Sequence, residues 1–175
     1  MGSEQETGKD TSVAKGDTTF MRRPFQKLPL NLSEWVAPEK LAGWVREEVE
    51  KLDHTKPEVQ EFLLHPPEAR PRELLAVVLY AYATQLYRSE EISHACRTDS
   101  ILQMLCEGKV PFAEELEQFR RKHRALLESL LGHILVRAVS EKFVQVGQLP
   151  PGFQNSLLRR AIDSLDTARH MDREE

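Results

Sequence analysis

The sequence predicts an all-α fold, a compact bundle of about six or seven helices. Apolar residues recur at three- and four-residue intervals through most of the chain between Pro38 and Ala168. No run alternates strictly between apolar and polar residues, as a half-buried strand would. Pro38, Pro57, Pro71 and Pro111 each open one of the periodic stretches, where a first-turn proline is tolerated.

At 175 residues the chain suits one domain with tails, enough to bury a core without staples. Hydrophobic residues at 40% and charged residues at 30% give a soluble globular profile. Charges interrupt every apolar run before the roughly 18–20 residues of a membrane span, so no membrane partner is expected. The N-terminus lacks a basic-then-apolar signal, and a cytoplasmic location is expected. Cys96 and Cys106 show no metal-ligand spacing and read as free buried thiols, with a disulfide or metal role as the alternative. A net charge of −4 does not describe a polyanion binder, so a nucleic-acid role would need a local basic patch on an acidic body.

Residues 1–32 are polar and then proline-punctuated, a disordered or extended lead. Arg22 and Arg23 within it read as a solvated turn, or as a DNA-contacting arm. The first helix runs from Pro38 to Asp53 on a stripe of Leu41, Val45, Val49 and Leu52, flanked by Trp44. A short helix follows from Pro57 to Leu64, stopped by His65-Pro66-Pro67. Pro71 opens the most apolar helix, the central one, carrying Leu74, Leu75, Val78, Leu79, Tyr82 and Leu86. Ser89 is a candidate N-cap for a helix to Cys96, with Glu90 and Glu91 in its first turn. Thr98 or Asp99 caps the next helix, and Gly108 ends it.

From Pro111 one register, through Leu116, Phe119, His123, Leu126, Leu127, Leu130, Ile134 and Ala138 to Phe143, runs for about thirty residues. That length leaves room for a kink near Gly132. Pro150-Pro151-Gly152 breaks the pattern. Residues 148–175 then form a linker, an amphipathic helix and a charged tail. The stripe Phe153, Leu157, Leu158, Ile162 and Leu165 on this helix is a candidate interaction surface, because soluble proteins rarely leave large apolar patches bare.

The strongest polar cluster is Arg120, Arg121, Lys122 and Arg124, whose helical spacing brings the arginines onto one surface. Phosphate contact is one reading. Intrahelical pairing is the other, with Glu117 four residues before Arg121 and Glu128 four after Arg124. His123 falls on the apolar stripe and reads as a core histidine. The six histidines show no paired-ligand spacing, and no phosphate loop or nucleophile elbow occurs. No catalytic residue, metal site, cofactor or small-molecule substrate is expected.

Four segments, in order, resemble the N-terminal helical domain of bacterial insertion-sequence transposases that cut DNA with three metal-binding carboxylates. They are Trp35-Val36-Ala37-Pro38-Glu39-Lys40-Leu41 with a helix ending Leu52-Asp53; Pro71-Arg72-Glu73-Leu74-Leu75 running to Tyr80-Ala81-Tyr82; Arg88-Ser89-Glu90-Glu91-Ile92 with Cys96 beyond; and Pro111 to His123. The resemblance spans about residues 33 to 146, and residues 33–147 are taken as this domain. It implies a helix-turn-helix-like segment and double-stranded DNA as partner, with Arg88, Arg120, Arg121, Lys122 and Arg124 as candidate contacts. Self-association or pairing with a related transposase is also implied.

The departures are specific. Glu90 stands where the family has arginine, and Glu114, Glu115 and Glu117 occupy the first turns of the segment resembling the recognition helix. Each such carboxylate opposes phosphate contact. After Gly147 no Asp-Gly-Thr follows, and Asp163 and Asp166 on one helix cannot converge on a metal pair. The expected function is DNA binding without cleavage, by a truncated or repurposed transposase or a regulator of transposition. The alternative is a helical interaction or dimerisation module that no longer binds DNA.

Overall fold

The computed structural model describes residues 31–34, 36–64, 70–142 and 153–171. They form a 3-10 turn, Leu32–Glu34, and eight α-helices: α1 (Pro38–Glu50), α2 (Pro57–Leu64), α3 (Pro71–Ala83), α4 (Ser89–Thr98), α5 (Ser100–Leu105), α6 (Ala113–Lys122), α7 (Arg124–Lys142) and α8 (Phe153–Met171). Among the described residues there is no strand, and no helix is long and apolar enough to cross a membrane. The expected lead before residue 31, the linker before α8 and the end of the tail lie outside the described residues.

Local chemistry sets most helix ends. Proline occupies the first turn of α1 and of α3, where the backbone has no N–H to lose. Asp99 caps α5, its Oδ1 accepting from the backbone N–H of Ile101 at 2.8 Å and of Leu102 at 3.0 Å. Beyond α5, Gly108 takes φ +72° and its N–H donates to the Gln103 carbonyl at 3.0 Å. That left-handed turn is where glycine costs least. Ser89 is not the N-cap of α4. Arg88 holds that position, and Ser89 is the first helical residue, buried, its hydroxyl committed elsewhere.

Helix α3 is the axis of the bundle. Every residue from Leu74 to Ala83 is buried, and α1, α4, α5, α6 and α7 all pack against it. A helix apolar on all sides has to be enclosed in this way. It stops at Ala83, short of the Leu86 in its expected stripe, because Gln85 turns into the left-handed region at φ 62°. The Leu86 N–H then donates back to the Ala81 carbonyl at 2.8 Å, and Leu86 and Tyr87 still pack on the core.

The single long helix expected from Pro111 is two helices, which brings the described residues to eight α-helices in the all-α bundle. Helix α6 begins at Ala113, with Phe112 as its N-cap. The chain turns at His123, while Gly132 lies buried within unbroken α7. The turn sacrifices little hydrogen bonding. The His123 N–H donates to the Phe119 carbonyl at 2.9 Å, and its own carbonyl accepts from Leu127 at 3.0 Å. The imidazole stays in the core, its centroid 5.2 Å from the Phe62 ring and 4.7 Å from the Phe119 ring.

Helix α7 packs on α1, α2, α3 and α6, and α8 lies along it in the most extensive helix pair of the structure. From α8, Ala161, Leu165 and Ala168 are buried and Ile162 is half-buried. The side chains of Phe153, Leu157 and Leu158 lie outside the described residues. The described part of the C-terminal stripe is thus spent inside the chain. Leu165→Asp should place an unpaired charge in this seam and destabilise the fold by about 3–5 kcal/mol. Chemical denaturation with a loss below about 1 kcal/mol would show that α8 is dispensable to the core.

Candidate anion-binding site

Helix α6 has Leu116, Phe119 and Arg120 buried, with His123 buried at its C-cap, so Arg120 follows the apolar residues into the interior. It is 7% exposed. Its guanidinium donates to the Tyr82 hydroxyl at 3.2 Å, to the Tyr87 carbonyl and to the Ser89 hydroxyl. One side chain thereby ties α6 to the end of α3 and the start of α4. Burial pushes the Tyr82 phenol above its ordinary pKa, against the opposing pull of Arg120. The phenol therefore stays protonated and accepts from the guanidinium as a neutral oxygen.

Arg124, the first residue of α7, is half-buried and held between two carboxylates. Nε donates to Glu128 at 2.9 Å and Nη2 to Asp166 of α8 at 2.7 Å. The pairing with Glu128 is the intrahelical contact expected from sequence, whereas Asp166 is a tertiary partner. The hydrogen bond from Arg124 is the main cause that holds the Asp166 carboxyl below its ordinary range, and Asp166 in turn raises Arg124.

These helices border a half-open cavity of about 530 Å³. Arg120, Arg121 and Arg124 line it from the α6–α7 turn, and Arg169 lines it from α8. Glu117, Tyr82 and Leu165 complete the described wall. Arg121 and Arg169 are exposed, so their guanidiniums stand at the mouth, while Arg120 supplies charge from within. The described lining holds four arginines and one carboxylate, and one of the four, Arg124, is already paired with Glu128 and Asp166. Guanidinium is well suited to holding anions, being permanently charged and matched to two oxygens of a carboxylate or phosphate.

The structure thus brings together three of the five basic residues singled out in sequence, Arg120, Arg121 and Arg124. Lys122 is exposed beside them but outside the cavity wall. Arg88 is half-buried at the N-cap of α4 and does not line the cavity. Only Arg121 and Lys122 of the five present the open surface that the phosphate-contact reading assumed.

Sequence reasoning missed Arg169, taken as part of a charged tail, and missed the wall made by Tyr82 and Glu117. One signal was available: Arg120 stands four residues after Leu116 and three before His123, within the apolar stripe. The acids of α6 stand apart from one another in their roles. Glu114 is exposed and accepts from Gln118 at 3.2 Å, while Glu117 faces the cavity.

Among the described residues no group of three or more His, Cys, Asp or Glu side chains is placed to share a metal ion. Cys96 and Cys106 are buried free thiols, and burial is the first cause pushing the Cys96 thiol up to about 12. Compared with known proteins, no family model, curated protein or solved structure matches the chain.

Two substitutions test this geometry. Arg120→Met should cost about 2 kcal/mol or more in denaturant unfolding, because the Tyr82, Tyr87 and Ser89 oxygens lose their buried donor. A neutral substitution would show that the guanidinium is not structural. Asp166→Asn should lower the melting temperature at neutral pH. The lowered carboxyl contributes stability above the unfolded value of about 3.9, and that contribution is lost as pH falls through the still lower folded value. The gap between wild type and variant should therefore close only in acid. A gap unchanged from pH 7 to strong acid would contradict the ion pair.

Proposed function

We propose that the chain is a non-catalytic DNA-binding protein that grips the phosphate backbone of a duplex at the α6–α7 turn. The observation that supports this reading is the docking of α8, which sets Arg169 at the same cavity mouth as Arg121, with Lys122 exposed next in sequence. That gives three cations on two helices of an acidic protein, the local basic cluster that phosphate contact needs. The order of the transposase-like motifs agrees with it. So does the position of the cluster at the C-terminal end of α6, away from Glu114 and Glu115 in its first turn. A duplex is too large to enter the cavity, so its phosphates would meet the rim, and base-edge readout is not part of the proposal.

Such binding is weak and salt-sensitive. With three phosphate contacts, the logarithm of affinity should fall with the logarithm of salt at a slope of about −2.7. Fluorescence anisotropy on a labelled duplex, from about 50 to about 200 mM salt, measures it. Arg121→Glu with Lys122→Glu should abolish binding while leaving the fold intact, since both side chains are exposed. Unchanged affinity in that double variant overturns the assignment. No binding even at low salt would favour the helical interaction module instead.

A further inference from the structure

The arginine cavity is larger than backbone contact requires. A volume of about 530 Å³ lies within the range of small-molecule sites and exceeds what a lone phosphate fills. Arg121 and Arg169 reach the mouth from different helices, and Arg120 adds positive charge from a fixed, buried position. Tyr82 and Leu165 complete the described wall but are nearly buried, at 3% and 5% exposed.

Arg120 is pre-oriented by its bonds to Tyr82, Tyr87 and Ser89, so its charge is in place before any ligand arrives. Arg124 is similarly fixed by Glu128 and Asp166. The two side chains left to close on a ligand are Arg121 and Arg169. Each can present a two-pronged face to phosphate oxygens.

From this geometry we infer that the cavity binds a small organic phosphate of nucleotide size, its phosphate between Arg121 and Arg169 and its organic part in the remaining volume. A small-molecule ligand departs from the sequence expectation of none. The inference stands apart from duplex binding, although phosphate is the chemistry common to both. Glu117 in the wall sets a polarity to the site, since it repels a second phosphate group laid beside it. A monophosphate is therefore the fitting class, and adenosine monophosphate a suitable ligand with which to test it.

Calorimetric titration of the full chain with adenosine monophosphate, inorganic phosphate and adenosine decides the matter. Saturable binding is expected for the nucleotide, at least tenfold weaker binding for phosphate, and none for adenosine. Arg121→Gln and Arg169→Gln, both at exposed positions, should each weaken the nucleotide by about tenfold or more, the usual loss for a charged hydrogen bond. Circular dichroism should show both variants folded.

Lys122→Glu separates the two ideas, because Lys122 is outside the cavity wall. It should leave nucleotide binding unchanged while weakening duplex binding. Absence of saturable nucleotide binding at millimolar concentration overturns the inference and leaves the duplex reading standing. So does phosphate binding as tightly as the nucleotide, or an affinity that ignores both arginine substitutions. Nucleotide binding without duplex binding upholds it and removes the other.

Discussion

The fold depends on burying one positive charge. Taking the Arg120 guanidinium out of water costs several kcal/mol unless its donors are satisfied, and three acceptors meet its Nη1 and Nη2. The acceptors come from three places that have no other reason to converge: the hydroxyl of Tyr82 at the end of α3, the carbonyl of Tyr87 in the following connection, and the hydroxyl of Ser89 at the start of α4. The left-handed turn at Gln85 makes that convergence work, because it ends α3 and swings the chain back under Arg120. Ser89 cannot cap its own helix because its hydroxyl serves the guanidinium. The local sequence preference yields to a tertiary demand.

The same anchoring explains the charge distribution at the α6–α7 turn. With Arg120 drawn inward, the helical rotation turns Arg121 and Lys122 toward solvent. Arg124 then begins α7 half-buried, where Glu128 and Asp166 attend it. An exposed ion pair adds little stability, but a bridge from α7 to α8 in a partly shielded seam fixes the register of the two helices. Leu165, next to Asp166, is buried in that seam. Hydrophobic docking and the ion pair therefore act at adjacent positions, and Arg169 is brought to the cavity mouth as a consequence. Elsewhere in the bundle the cationic groups of Lys40 and Arg137 lie 5.2 and 4.9 Å from a Trp44 ring centroid. Glu47 also accepts from Arg137 at 2.9 Å. That seam joins α1 to α7 by the same pairing of apolar surface with a guanidinium.

Much of the fold is legible in the sequence because its signals are local. Proline at first turns, Asp99 as a cap and Gly108 beyond α5 each act within a few residues of where they stand. The all-round apolar character of α3 announces enclosure. The break at His123 is not legible, since the apolar register continues across it and the turn keeps nearly all of its backbone hydrogen bonds. Gln85 hides the end of α3 for a related reason: the left-handed position is held by a residue that does not advertise it. The cavity was less legible still. Its walls come from α3, the α6–α7 turn and α8, which no spacing rule connects. Its one readable sign was an arginine inside an apolar stripe, and an i,i+4 match with Arg124 made that residue look like part of a surface.

The carboxylates of this region take on different meaning once placed in space. Read along the chain, Glu114, Glu115 and Glu117 oppose any phosphate equally. In the structure the first two belong to the N-terminal turn of α6, where a negative charge complements the helix dipole. Of the three, Glu117 alone lines the cavity, while Glu128 and Asp166 are bonded to Arg124 and the charge of Arg169 also acts on Asp166. The acid thus partitions the basic cluster. It silences one guanidinium, leaves Arg121 and Arg169 at the mouth, and limits how much negative charge the cavity can accept. A surface with fewer carboxylates would bind polyanions more tightly and with less discrimination. Here the acidic residues favour an anion of modest charge seated at one place.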